Sequence, residues 1–158
     1  MIAAIYCRVS TDDQNVSQQA QYLKEWCSKQ GFNIKRVVSD EESGALPLTE
    51  RKKFLKLLNQ NDYDAIVIFN LDRLTRNWDD VTMIESHFRN NWETKKLIST
   101  GDSVDLSNAS GRMMFRIKMA VSCYMPEDMR EKQRIGIDRA KLEGKYKGGK
   151  KGRTWNMS

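Results

Sequence analysis

Short apolar runs alternate with segments of helical periodicity along this chain of 158 residues. Four runs have the composition and length of β-strands: residues 2–9, 32–38, 64–70 and 96–100. The run at residues 65–69 is apolar throughout, which is typical of a strand covered on both faces of a sheet. Strands that alternate with helices predict an α/β fold, in which a mainly parallel sheet has helices on both faces.

Four segments repeat apolar residues at the three- and four-residue spacing of an amphipathic helix. Gly31 is predicted to close the first helix, and Thr49 is predicted to cap the second. The third helix covers residues 78–88, and the fourth runs from Gly111 to about Glu143. Pro126 lies inside this long pattern. Because a proline in a helix interior removes a hydrogen bond and clashes with the preceding turn, we expect a kink there.

Length, composition and cysteine placement indicate an ordinary globular chain. Hydrophobic residues make up 39% and charged residues 30% of the sequence, which excludes a disordered chain. The longest apolar runs, residues 1–7 and 65–69, are far too short to cross a bilayer, and no secretory signal is visible. Cys7 and Cys27 fall within apolar patterns, which predicts free buried thiols. We therefore expect a cytoplasmic protein without a membrane partner.

The sequence contains no pattern typical of a metal, ATP or dinucleotide site. His87 is the only histidine, and the cysteines are too widely spaced to suggest metal ligands. Residues 101–112 lack the Gly-Lys-Ser/Thr of a phosphate-binding loop, and no Gly-x-Gly-x-x-Gly follows the first strand. We expect neither a cofactor nor a metal, and a dinucleotide-binding enzyme is disfavoured.

Positive charge is concentrated near the end of the chain. The net charge is +6, and residues 130–158 contain ten lysines and arginines against three acidic residues, so this segment carries +7 and the remainder −1. A solvated tail is one interpretation of such a segment. A contact with a polyanion, usually DNA or RNA, is the other.

An arginine and a serine lie at the end of the first predicted strand. Because side chains alternate along a strand, Tyr6, Arg8 and Ser10 share one face. Open α/β sheets bind ligands beyond the carboxyl ends of their strands, which is where Arg8 and Ser10 lie. A structural role is the alternative for each residue taken alone: a turn or helix cap for Ser10, and a salt bridge for Arg8.

Two more arginines, Arg73 and Arg76, follow the third predicted strand together with Asp72. If residues 71–77 turn into a helix, these arginines lie three apart on one face, and their repulsion favours a bound anion. Arginine matches phosphate oxygens bidentately and keeps its charge. A serine hydroxyl near three guanidinium groups therefore indicates a phosphate-handling site, in which the arginines stabilise developing charge.

The catalytic domain of the serine recombinases, the resolvase/invertase family, is similar to this chain in two motifs: Tyr6-x-Arg8-Val9-Ser10-Thr11 and Asp72-Arg73-Leu74-Thr75-Arg76. The resemblance spans roughly residues 2–145. It also includes these positions: Gln14, Gln19, Asp40, Ser43, Gly44, Arg51, Gly111 and Gly136.

The resemblance implies a site-specific DNA recombinase in which Ser10 attacks the DNA phosphodiester. A covalent phosphoserine intermediate would form with release of a 3′ hydroxyl, followed by strand exchange and religation. Arg8, Arg73 and Arg76 would neutralise the phosphate. Asp72 would orient arginines or accept a proton. Supporting positions would be Tyr6, Gln14, Gln19, Asp40, Ser43 and Arg51, with Arg51 as a further positive contact.

The resemblance also implies double-stranded DNA as a partner, together with a homodimer that becomes a tetramer during recombination. In the family, the long helix forms the dimer interface, and it usually carries a Glu-Arg pair where this chain has Met125-Pro126. An adaptable apolar face with many methionines fits such an interface, and it also fits an intramolecular core. The face comprises Met113, Met114, Ile117, Ala120, Val121 and Met125.

We expect a catalytic domain over residues 1–143 and a basic arm over residues 144–158, leading to a DNA-reading domain that this sequence does not include. The arm residues expected to contact DNA are Lys145, Lys147, Lys150, Lys151 and Arg153. A non-catalytic α/β module that binds DNA or phosphate is the alternative function. Covalent attachment of DNA to Ser10 would distinguish the two functions, because only the recombinase forms such a bond.

Overall fold

The computed structural model describes residues 1–8, 13–41, 46–91 and 93–145. For some of these residues it describes only the backbone: 13–16, 126–128, 130, 131, 133, 134, 138, 140 and 142. The helices and strands of the described ranges are β1 Ile2–Arg8, α1 Asp13–Lys29, β2 Asn33–Asp40, α2 Lys52–Leu58, β3 Ala65–Ile68, α3 Trp78–Asn90, β4 Lys96–Ser99, β5 Val104–Asp105 and α4 Ala109–Leu142. The four predicted strands and four predicted helices are all present, and the short β5 was not predicted.

The strands form one sheet in the order β2-β1-β3-β4-β5. The pairings among the first four strands are parallel, and only β5 is antiparallel. Arg8 and Asp40 lie opposite each other as the last residues of β1 and β2. The carboxyl ends of β1 to β4 therefore meet at one edge of the sheet.

Both faces of the sheet are covered, as predicted. On one face, Ile5 of β1 packs in a cluster with Leu23 and Cys27 of α1. On the other face, Tyr6 packs in a larger cluster to which α2, α3 and α4 all contribute, for example through Phe115. The alternation predicted for β1 is thus confirmed, and it places Arg8 on the same side of the strand as Tyr6.

The start of the second helix differs from the prediction. Thr49 does not cap α2, because it lies in a separate 3-10 turn over Leu48–Glu50. Arg51 is the residue that precedes α2, and its side chain makes no capping hydrogen bond. The reason is that Leu48 is fully buried and its amide donates to the carboxylate of Asp80, which fixes the chain one turn earlier. Gly31 does follow α1, with a positive φ of 72°.

The backbone of α4 is helical on both sides of Pro126, so the helix is not interrupted there. The predicted kink stays a prediction. Contacts within the chain divide it into two units, Met1–Cys123 and Tyr124–Ser158. The domain boundary expected between residues 143 and 144 stays a prediction as well.

The predicted apolar face of α4 is exposed. Phe115 and Met119 are the α4 side chains that are fully buried in the core of the first unit. In the same unit, Met113, Ile117 and Val121 each expose more than half of their surface, at 57%, 51% and 54%. The remaining members of the predicted face, Met114, Ala120 and Met125, are exposed too. Met113, Ile117 and Val121 are therefore not part of the core of the first unit.

Cys7 and Cys27 are buried free thiols, as predicted. Burial raises the pKa of the Cys7 thiol to about 11, although the charge of Lys24 opposes the shift. This thiol is therefore protonated at neutral pH. In the described part of the chain, no helix has both the length and the apolar character that crossing a bilayer requires.

Candidate active site

The parallel strand ends bring the predicted site residues to one edge of the sheet. Arg8 ends β1 and Asp40 ends β2. The segment after β3 begins with a 3-10 turn over Leu71–Arg73 and does not continue as a helix. We refer to residues 71–76 as the arginine turn. Arg73 and Arg76 were predicted to share a helix face only if residues 71–77 formed a helix. Those residues do not form one, but both arginines still lie at this edge of the sheet.

Arg8 is buried and holds the arginine turn through its backbone. Only 4% of Arg8 is exposed. Its Nε donates a hydrogen bond to the Arg73 carbonyl oxygen at 2.7 Å, and Nη2 lies 3.5 Å from the Asp72 carbonyl oxygen. Both of these contacts are to backbone carbonyl oxygens. They fix the path of the turn at the two residues whose side chains are candidates for the site.

A second buried layer lies behind Arg8. The Tyr6 hydroxyl donates to Asp40 Oδ2 at 2.9 Å, and both side chains are almost fully buried. Burial and the Asp40 carboxylate raise the pKa of Tyr6 well above its usual value, while the nearby charge of Arg51 opposes the rise. Tyr6 therefore stays a neutral donor and satisfies the buried Asp40.

Arg51 is fully buried. Its predicted role as a further positive contact stays a prediction. It donates through Nη1 to the Leu74 carbonyl oxygen, and through Nη2 to the Leu46 carbonyl oxygen at 3.0 Å. The guanidinium thus ties the arginine turn to the segment preceding α2. Arg51 therefore contacts the turn from a buried position.

Positive charge dominates the electrostatics of this edge. Burial lowers the pKa of the Arg8 guanidinium, and the neighbouring charges of Arg51, Arg73 and Arg76 lower it further. The direction of this shift means that these three guanidinium groups each lie close enough to Arg8 to repel its charge. An anion bound at this edge would relieve that repulsion, and arginine suits phosphate oxygens in geometry as well as charge.

The outer part of the cluster is more accessible. Arg76 Nη2 lies 3.9 Å from Asp72 Oδ2, and both side chains are more than a third exposed, so this ion pair contributes little stability. Asp72 Oδ1 and Arg73 Nε are buried and find no hydrogen-bond partner among the described residues. The turn therefore retains one donor and one acceptor that the described residues do not satisfy.

Two residues of the turn region were missed by the sequence analysis. Thr75 and Asp80 are buried, and the Thr75 hydroxyl donates to Asp80 Oδ2 at 2.6 Å. Asp80 also accepts from the Leu48 amide, and Thr75 Oγ1 accepts from the Asn77 amide at 3.0 Å. The network locks the end of the turn to the start of α3. An acid in the first turn of a predicted helix, five residues after a threonine of the motif, was the available signal.

Several predicted residues fall where the structure gives less information. Ser10 and Ser43 lie outside the described residues, and of Gln14 only the backbone is described, within α1. Gln19 is half-buried, and its Oε1 has no partner among the described residues. In the basic arm, Lys145 Nζ pairs with Glu143 at 2.9 Å. The other arm residues, Lys147, Lys150, Lys151 and Arg153, lie outside the described residues.

The chain is similar to known proteins over most of its length. Residues 3–146 match the family described as Resolvase, N terminal domain. The resolvase of transposon Tn2501 from Escherichia coli is 32% identical over 143 residues, which cover 89% of this chain and 71% of that protein. The DNA-invertase of Enterobacteria phage P7 is 30% identical over 146 residues, covering 90% of this chain and 72% of that protein.

Solved structures agree with the sequence relatives. The N-terminal catalytic domain of TP901-1 integrase superposes with a TM-score of 0.61 at 27% identity, covering 83% of this chain and 98% of that domain. The C-terminal catalytic domain of ISC1926 TnpA, an IS607-like serine recombinase, gives a TM-score of 0.54 at 32% identity, covering 63% of this chain and 70% of that domain. The chain therefore belongs to the resolvase family of serine recombinases and carries the catalytic domain of a site-specific DNA recombinase.

Proposed function

We propose that Ser10 is the nucleophile of this recombinase and that the arginines of the sheet edge stabilise the reaction at the scissile phosphate. The Ser10 oxygen forms a bond to phosphorus and loses its proton. The bond from phosphorus to the 3′ oxygen breaks, and that oxygen leaves as a 3′ hydroxyl after gaining a proton. The ester keeps the energy of the phosphodiester, so religation to a new 3′ hydroxyl needs no ATP.

The observation that carries this proposal is the arginine cluster at the carboxyl edge. Arg8 ends the strand that leads to Ser10, and it is held against the backbone of the turn that carries Arg73 and Arg76. Burial and the charges of the neighbouring arginines lower the pKa of Arg8, and a bound phosphate would offset the repulsion that Arg8 experiences. Preorganised donors of this kind stabilise a transition state by about 2.7–4 kcal/mol each.

Asp72 serves the cluster in a different way. Its Oδ1 is buried without a partner among the described residues, and its Oδ2 faces Arg76 at 3.9 Å. In the proposed reaction, this carboxylate orients arginines around the phosphate and is available to accept the serine proton. Tyr6, Asp40 and Arg51 are buried behind it and position the turn, and Gln14, Gln19 and Ser43 support the serine loop.

The proposed partner is double-stranded DNA, bound as a homodimer that pairs into a tetramer during strand exchange. The exposed apolar residues Met113, Ile117 and Val121 support a subunit contact through the first part of α4, because adjoining exposed apolar side chains mark interaction surfaces. The basic arm beyond residue 143 follows the DNA backbone in this proposal, and the protein acts in the cytoplasm.

Covalent trapping tests the proposed chemistry. The probe is a pool of DNA duplexes with a randomised core and a single nick, in which a short cleaved fragment diffuses away and prevents religation. Protein-linked DNA is recovered under denaturing conditions and sequenced, and the released strand ends are assayed. The proposal predicts adducts that carry protein on a 5′ phosphate together with new 3′ hydroxyl ends.

A DNA-binding chain that yields no adduct would contradict the proposal and support the alternative, a non-catalytic module that binds DNA or phosphate. Protein attached to a 3′ phosphate, together with new 5′ hydroxyl ends, would contradict it as well, because the leaving oxygen would then be the 5′ one.

A further inference from the structure

A polar cluster outside the arginine site connects three elements of the first unit. Asp102, in the loop after β4, accepts hydrogen bonds at Oδ2 from the Leu71 amide at 2.6 Å and from the Ser99 hydroxyl at 2.8 Å. Its other oxygen, Oδ1, accepts from Lys118 Nζ of α4 at 3.0 Å. One carboxylate thus binds the first residue of the arginine turn, and a lysine of α4 binds the carboxylate.

The loop that carries Asp102 is itself tightly attached to the segment before the turn. The Thr100 amide donates to the Ile68 carbonyl at 3.0 Å, and the Gly101 amide donates to the Phe69 carbonyl at 2.7 Å. A Cβ atom at Gly101 would lie only 2.0 Å from Oδ1 of Asn70, so the two segments approach as closely as a glycine permits. These hydrogen bonds fix the backbone next to Asp102, and the side chain of Asp102 is thereby held beside the Leu71 amide.

We propose that Asp102 is a positioning residue for the arginine turn, and that Lys118 ties this position to α4. The inference rests on the proposed function, because it concerns how the arginines of that site are held. Arg8, at the end of β1, hydrogen-bonds to the backbone of the turn at residues 72 and 73. Asp102, in the loop after β4, hydrogen-bonds to its backbone at Leu71. The turn is thus fixed from two strands.

The electrostatics of Asp102 fit this role. Burial on its own raises the pKa of the carboxyl, but the hydrogen bonds from Leu71, Lys118 and Ser99 outweigh it and hold the pKa below the usual value. The group is therefore ionised at neutral pH, and an ionised acceptor makes stronger hydrogen bonds than a neutral one. Lys118 belongs to α4, the helix that carries the proposed subunit contact, so the bridge attaches that helix to the turn.

Hydrogen exchange of the full chain tests the anchor without DNA. Asp102→Asn removes the charge and one strong acceptor, and Lys118→Met removes the bridge while keeping much of the side-chain stem. Both changes should speed amide exchange at residues 71–76 several-fold. Glu85→Gln is the matched control, because it breaks the pair of Glu85 with Arg116, which also joins α4 to another element but does not touch the turn.

The rate of adduct formation in a single turnover, on a duplex recovered with the wild-type chain, tests the consequence. A misplacement of about 1 Å can cost about a hundredfold in rate, which is the loss expected for Asp102→Asn. Lys118→Met should slow the reaction by about tenfold, as expected for a residue that couples to the site indirectly. Lys118→Arg keeps the ion pair and should restore most of the rate, while DNA affinity stays near the wild-type value.

Unchanged exchange at residues 71–76 in both variants would overturn the inference whatever the activity. A wild-type adduct rate in Asp102→Asn and Lys118→Met would also overturn it, as would an equal loss of rate in Glu85→Gln, which would indicate a general loss of stability. A wild-type chain that forms no adduct counts against the proposed function, and the exchange result then decides by itself whether Asp102 holds the turn.

Discussion

Arg8 shows how a charged residue can be buried and still serve an active site. Its hydrogen bonds to the Arg73 and Asp72 carbonyls satisfy donors that water would otherwise satisfy. Burial lowers the pKa of Arg8, and the nearby charges of Arg51, Arg73 and Arg76 lower it further. The free protein therefore holds like charges together with the help of the backbone, and a phosphate between them would gain from every one of those charges.

Removing one outer arginine should separate catalysis from stability. Arg73→Ala and Arg76→Ala each delete a donor but keep the backbone carbonyl that Arg8 binds, so the turn should survive. Because one preorganised donor supplies about 2.7–4 kcal/mol, each change should slow adduct formation by about a hundred- to a thousandfold. The melting temperature should hold or rise, since repulsion is relieved. A clear loss of stability with a normal cleavage rate would show that these arginines are structural.

Tyr6→Phe should destabilise the fold from the buried layer behind the site. The change removes the hydroxyl that donates to Asp40 and leaves a buried carboxylate oxygen without that partner, at a cost of about 1–3 kcal/mol. In a domain of this size, that cost lowers the melting temperature by about 2–4 °C per kcal/mol. Tyr22→Phe is the control, because Tyr22 is exposed. Equal melting temperatures for the two variants would mean that the Tyr6 hydroxyl does not contribute.

At the scale of elements, α4 has two different faces in the first unit. Phe115 and Met119 pack into the core, whereas Met113, Ile117 and Val121 stay exposed. The buried and exposed apolar residues alternate along the sequence. Helical periodicity alone therefore cannot tell which of the two sets faces the core. The fold decides, because only the buried set meets the sheet and α3.

Alanine substitutions on the two faces of α4 should affect different properties: the stability of the fold on one face and self-association on the other. Phe115→Ala removes a fully buried aromatic ring and should cost about 3–5 kcal/mol of the free energy of unfolding. Ile117→Ala should change stability by only about 0.5 kcal/mol, as is usual for a surface position, and should weaken self-association measured by sedimentation. Strong destabilisation of a monomeric Ile117→Ala variant would place this residue in a core and contradict the proposed subunit contact.

The order of the elements could be predicted from sequence because apolar runs and helical spacing are local patterns. The conformation of the turn at residues 71–76 could not be predicted from sequence. It depends on Arg8, Arg51 and Asp102, which contact the turn from three distant parts of the chain. The two motifs predicted which arginines gather at the site. That Arg51 is buried follows from packing of the chain before α2, which no local pattern reports.

At the scale of the whole molecule, charge is divided between a nearly neutral body and a basic end. Truncation after Glu143 removes five basic residues: Lys145, Lys147, Lys150, Lys151 and Arg153. Log affinity for duplex DNA falls with log salt by about 0.9 per phosphate contact. If most of these residues contact phosphates, truncation should weaken binding and flatten that slope by about three to four units.

The loss of affinity should be similar on unrelated sequences, because phosphate contacts position a protein without reading bases. Titrations of the truncated and full chains at several salt concentrations provide the comparison. The same slope in both chains would mean that the arm is only solvated and that DNA binding depends on the body of the protein.

The central claim is that DNA becomes attached to Ser10, and mass spectrometry of the trapped adduct tests it most directly. Trypsin cuts after Arg8 and Lys24, so Ser10 lies in the peptide of residues 9–24, whereas Ser39 and Ser43 lie together in the peptide of residues 37–51. We expect a nucleotide mass on Ser10 in the first peptide, and no adduct at all from Ser10→Ala at an unchanged melting temperature. A nucleotide mass in the second peptide, or an adduct retained by Ser10→Ala, would contradict the claim.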